Sequence, residues 1–150
     1  MTPEQLNTFL YKELPLANAL NLKVLAAERN RVLLSAPFAP NRNAHGSAFG
    51  GSLAALGILG GWAMVYTRLQ LDQLPATLVI KNSDCDYRHP ITTDIRIEAS
   101  LNEADWQQFL ARFSSHGSAR MVVQSLLGGE GREAAAVHSG TYVAMQPGRH

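Results

Sequence analysis

Among 150 residues there is one cysteine, Cys85, which excludes an internal disulfide and leaves no set of thiolates for a metal site. The 13 Lys and Arg are scattered and almost balanced by 12 Asp and Glu, for a net charge of +1. Such a distribution offers no basic patch, and no nucleic-acid partner is expected. The N-terminus lacks a basic stretch followed by an apolar core, so it does not read as a signal peptide, and a reducing, cytoplasmic location is expected. His45, His89, His116 and His138 lie far apart without ligand spacing, so no metal is expected either. No internal repeat or low-complexity linker divides the chain. At 46% hydrophobic and 17% charged it has the make-up of a single domain, 1–150.

One further absence is local. From Ser52 to Leu71 there is no Asp, Glu or His. The apolar run at residues 53–66 is shorter than the ~20 residues a bilayer span requires, contains Gly57, Gly60 and Gly61, and ends near Arg68. It reads as a buried central helix over about 51–69, with no membrane association, and one that carries no general base. Gly57 and Gly61, one turn apart, suit a close approach of backbone to backbone.

What is present is concentrated just before that helix, in Pro40-Asn41-Arg42-Asn43-Ala44-His45-Gly46-Ser47-Ala48-Phe49-Gly50-Gly51-Ser52. The first turn of a helix presents N–H groups without intrahelical partners, and glycine lets a ligand come close to them, so a developing oxyanion can be held there. Asn41 and Asn43 fit that role, and they fit equally well as turn formers or caps.

The remaining chain is read from its periodicities. Thr2, Pro3 and Gln5 open a helix over 2–14, with Leu6, Phe9, Leu10 and Leu14 as its apolar stripe. Residues 22–27 and 31–38 form a hairpin around Arg29-Asn30. A long strand at 77–87 is closed by Pro90, and a second follows at 94–101. Asn102 caps a helical insertion at about 103–114 that turns Trp106, Phe109, Leu110 and Phe113 to the body. Two last strands, 121–127 and 133–145, flank Gly128-Gly129-Glu130-Gly131. The order argues for an α+β domain in which an antiparallel sheet, made of strands in consecutive hairpins, wraps around the apolar central helix.

The loop at 40–52, Gly61-Trp62 in the central helix and the strand end Tyr87-Arg88-His89-Pro90-Ile91 together resemble a hot-dog-fold family of acyl-thioester enzymes, the putative-thioesterase family that includes stand-alone proteobacterial malonyl-acyl-carrier-protein decarboxylases. The resemblance implies a hot-dog fold, a homodimer with a tetramer left open, and Asn43 as the critical side chain. It also implies a thioester substrate on acyl carrier protein or coenzyme A, with no cofactor beyond the phosphopantetheine the substrate brings. Ser47 stands where relatives often have threonine, and Gly50 where some have alanine.

Decarboxylation of a malonyl thioester leaves an enolate and needs charge stabilisation, not a nucleophile. The acid-free helix suits that chemistry, since a carboxylate there would repel the substrate's own. The expected site therefore has Asn43 and His45 as catalytic groups, with Asn41, Ser47, Phe49, Gly50, Gly51, Ser52, Tyr87 and Arg88 binding substrate. Hydrolysis instead needs a carboxylate to activate water or attack the carbonyl. The candidates for that alternative, an acyl-CoA or acyl-carrier-protein thioesterase, are Asp84 and Asp86, which share one face of their strand and would have to reach the loop across a dimer. A non-catalytic acyl-thioester binding module is the third reading.

Overall fold

The computed structural model describes residues 1–129 and 133–148. Helix α1, Pro3–Glu13, opens with a reciprocal capping box: Gln5 N–H donates to Thr2 Oγ1 at 3.1 Å, and Thr2 N–H to Gln5 Oε1 at 2.8 Å. It stops at Glu13 because Leu14, the residue before Pro15, is extended, and Pro15 starts a separate helix α2, Pro15–Leu20. The helix expected over 2–14 therefore ends at this bend, and a second helix, not expected, follows it.

The strands are β1 (Lys23–Ala27), β2 (Arg31–Ala36), β3 (Thr77–Tyr87), β4 (Ile95–Ser100), β5 (Ser118–Gly128) and β6 (Ala136–Met145). They form one antiparallel sheet in the order β1-β2-β4-β5-β6-β3. Consecutive hairpins are therefore only part of the plan: β3 pairs with β6, at one edge, and β4 pairs with β2 and β5. Of the turn expected between the last two strands, Glu130 and Gly131 lie outside the described residues. Strand β5 begins three residues earlier than expected, directly after Gly117, which ends helix α4 (Glu103–His116) at φ +76°.

The sheet curls around α3, Gly50–Leu71. At 22 residues this helix is long and apolar enough to cross a membrane, yet most of it is buried inside the domain as the core. Its glycines admit the sheet's side chains, not another backbone. A Cβ at Gly57 would collide with His138 and one at Gly61 with the Tyr142 ring, while one at Gly60 would stand 2.7 Å from Ser125 Oγ. With the helix this low on the sheet, Ser125 Oγ donates to the Gly57 carbonyl and Tyr142 Oη to that of Ile58, both at 2.8 Å.

The far end of α3 is anchored by a buried cation. The Arg68 side chain is fully enclosed and donates to both Glu103 oxygens, at 2.8 and 3.1 Å, and to Asn30 Oδ1 at 2.8 Å. Its guanidinium lies 4.8 Å from the Trp106 ring centroid. Hydrogen bonds from Arg68 first, and then from Gln107 and Arg29, each at 3.2 Å, hold the Glu103 carboxyl down at about 2 from an ordinary 4.5.

Candidate active site

The loop before α3 is built by its asparagines. A single 3-10 turn, Ala39–Asn41, leaves Asn41 1% exposed, with Nδ2 donating to the carbonyls of Leu20 and Pro37, each at 2.9 Å. Asn41 thus fastens the loop to the end of α2. This differs from its expected place in a substrate site, because the side chain is enclosed by protein: carbonyls hold both amide hydrogens, and Oδ1, without a hydrogen-bond partner among the described residues, is shut off from solvent.

Asn43 is half-buried and closes the tip. Its Oδ1 accepts the N–H groups of His45 and Ser47 at 2.8 and 3.1 Å, and its Nδ2 donates to Ser47 Oγ at 2.8 Å. Gly46, at φ +87°, lets the chain reverse inside this ring of bonds. Two N–H donors fix which end of the amide is oxygen, so one of the two Nδ2 hydrogens remains uncommitted. The imidazole of His45 is exposed beside it.

The loop ends on the mouth of α3. Phe49 contributes no side-chain cap, and the first helical bond is Leu53 N–H to Phe49 O at 3.0 Å, so the N–H groups of Gly50, Gly51 and Ser52 have no partner within the helix. The Phe49 ring, 55% exposed, lies over Gly51, where any Cβ would strike it. Tyr87 Oη donates to the Gly50 carbonyl at 2.7 Å, and Ala48 N–H to the Ile91 carbonyl at 2.7 Å. Between these elements opens a pocket of about 280 Å³, lined by Ala48, Gly50, Leu53, Tyr87, His89 and Ile91, with Arg88 also at its wall. Burial raises the Tyr87 hydroxyl above its usual range, which keeps it a donor.

Loop, helix mouth and strand end meet within one chain: Tyr87 reaches Gly50, Phe49 covers Gly51 beside Ser52, and Asn43 is tied to Ser47 just ahead of them. Asp84 and Asp86 do not join them within one chain. They stand opposite Ser139 and Val137 on the outer face of the sheet, while Ser83, Cys85 and Tyr87 share the inner face with Gly140, His138 and Ala136. Arg88 Nε pairs with Asp86 Oδ2 at 2.9 Å, an exposed contact of little energetic weight.

A further residue, not expected in the site, lies on the inner face of the sheet. His138 is fully buried over Gly57, and its Nε2 lies 2.7 Å from Ser83 Oγ. Burial lowers its pKa, against a smaller opposing pull from Asp84, and so favours the neutral ring. The signal was available in β6, where alternation puts His138 on the same face as Ala136, Gly140, Tyr142 and Ala144.

The family described as "Putative thioesterase (yiiD_Cterm)" matches residues 3–146. Among solved structures, a protein of unknown function from Chlorobaculum tepidum superposes with a TM-score of 0.90 at 23% identity over 97% of both chains. A protein from Shewanella oneidensis described as a putative thioesterase gives 0.81 at 23% identity, over 97% of both chains. One from Pseudomonas aeruginosa, described as a probable thioesterase, gives 0.82 at 26% identity over 95% of both chains.

Proposed function

Because the chain belongs to the "Putative thioesterase (yiiD_Cterm)" family and has the hot-dog fold of its structural neighbours, we propose that it acts on acyl thioesters and, more narrowly, decarboxylates malonyl thioesters on acyl carrier protein. The acetyl product would prime fatty acid synthesis. The observation that carries the narrower reading is a helix mouth with three N–H groups that have no partner among the described residues, and the spare Asn43 amide hydrogen, on a helix with no acid. The thioester oxygen seats at that mouth; when the carboxylate leaves as carbon dioxide the electron pair moves onto this oxygen as an enolate, which then takes a proton at carbon from solvent water to give the acetyl group. One well-placed oxyanion donor contributes on the order of 10²–10³ in rate. Asn43 is the side-chain donor, and Ser47, which accepts its other amide hydrogen, holds its plane.

The functional unit in this reading is a homodimer. Strand β3 is an 11-residue sheet edge, and the free backbone groups of such an edge suit antiparallel pairing with a second copy. The family description favours a second reading, hydrolysis, in which Asp84 or Asp86 of a neighbouring subunit serves as base. Mass spectrometry of malonyl-carrier protein incubated with the purified protein separates the two. Conversion to acetyl-carrier protein is expected; release of free carrier thiol with no acetyl form would overturn the decarboxylase reading in favour of hydrolysis.

A further inference from the structure

Ser83 and His138 form a polar pair that neither the loop chemistry nor the helix mouth uses. His138 Nδ1 is buried with no hydrogen-bond partner among the described residues, while Nε2 faces Ser83 Oγ at 2.7 Å. A buried N–H without an acceptor is rarer and costlier than a bare ring lone pair, so the proton belongs on Nε2. The ring then donates to Ser83 Oγ, and the serine hydroxyl must turn its own hydrogen elsewhere. Ser83 is exposed, so that hydrogen is directed to the open side of β3.

The place of this donor matters. Ser83, Cys85 and Tyr87 form a row along the inner face of β3, with Tyr87 against Gly50 at the mouth of α3. His138 lies over Gly57, seven residues further along the helix, or about 10 Å at the usual helical rise. An extended arm whose thioester oxygen sits at the mouth would run along this row and bring a later polar group to Ser83. In a pantetheine thioester those later groups are amides.

We propose that Ser83 is a further substrate-binding residue, held by His138 as a positioning residue, and that its hydroxyl donates to an amide carbonyl of the pantetheine arm. The inference rests on the reading that the substrate is a pantetheine thioester, and it stands whether the reaction is decarboxylation or hydrolysis. Its test therefore uses coenzyme A itself, which carries the arm and no acyl group, titrated calorimetrically into the native protein and its variants. Ser83→Ala is expected to weaken binding about 5–10-fold, the range of one neutral hydrogen bond, and to lower the melting temperature by a few degrees, because the buried His138 N–H loses its acceptor. Ser83→Thr, which keeps the hydroxyl, restores binding to within about threefold. His138→Gln retains an amide donor and behaves like Ser83→Thr. His138→Leu weakens binding as much as Ser83→Ala, and the double variant is no weaker than either single one. Unchanged affinity in Ser83→Ala, additive losses in the double variant, or a native protein that does not bind coenzyme A would each overturn the inference. Failure of the malonyl assay with this pattern intact would overturn the decarboxylase reading alone.

Discussion

Replacement of Asn43 by aspartate separates what this residue does for the loop from what it does for the reaction. The alanine variant cannot, because it removes three hydrogen bonds together: two from backbone N–H groups to Oδ1 and one from Nδ2 to Ser47 Oγ. At about 1 kcal/mol net each, discounted for partial exposure, that is roughly 2–3 kcal/mol, and the loop itself would loosen. Asn43→Asp keeps the oxygen that accepts the His45 and Ser47 N–H groups, and Ser47 can reverse its hydroxyl to donate. All three contacts survive, and the melting temperature should move by less than about 3 °C, against roughly 5–10 °C for Asn43→Ala. Catalysis should not survive. The free amide hydrogen is gone, a loss of about 10²–10³, and a carboxylate now faces the substrate's own, a repulsion on the order of 4 kcal/mol at 4 Å in a surface-like dielectric. Steady-state conversion of malonyl-carrier protein, followed by mass spectrometry beside a thermal melt, reads both quantities. If Asn43→Asp kept more than a tenth of native kcat/KM, the donor role of Asn43 would be refuted.

Three other expectations follow from single contacts. Tyr87→Phe removes the bond to the Gly50 carbonyl that steadies the helix mouth, and kcat/KM should fall about 3–10-fold with little change in melting temperature. Gly57→Ala places a methyl group against His138; overpacking of this kind costs about 1–3 kcal/mol, read as a lower denaturation midpoint in urea. The Glu103 carboxyl is depressed from 4.5 to about 2 in the folded chain, so the unfolded state binds the proton more readily. Its stabilisation is therefore full above pH 4.5 and lost as pH falls towards about 2. Glu103→Gln should lower stability at pH 7 and flatten the acid limb of the melting-temperature profile, and an unchanged acid limb would contradict the pairing with Arg68.

Much of the architecture was legible because it rests on local patterns. Helix α3 was expected at about 51–69 and spans Gly50–Leu71, since an apolar run bounded by glycines and a charged end has few alternatives. The loop was legible as a glycine-bearing entry to that helix. Pairing was less so: β3 and β4 are neighbours in sequence and both alternate correctly, but no local rule says that β3 must cross to β6. The two loop asparagines could not be told apart by type either. Asn41 and Asn43 are two residues apart, and only the three-dimensional path of α2 makes one a buried tie and leaves the other at the tip. Arg68 looked like the polar stop of an apolar helix, whereas the insertion that covers it arrives 35 residues later with Glu103.

The glycines of α3 also bear on how a domain of this shape could change its chemistry over generations. A hydrolytic relative requires a carboxylate near the thioester, and the shortest route would be a single codon change on the helix beside it. That route is closed at Gly57, Gly60 and Gly61, where even a methyl group meets His138, Ser125 or Tyr142. It is open only on the half-exposed side, at positions such as Ala54, Ala55 and Ile58. The seam therefore acts as a filter on descent: a library that inserts acids along the helix should yield folded protein from that one side alone, and any gain of hydrolysis should appear there.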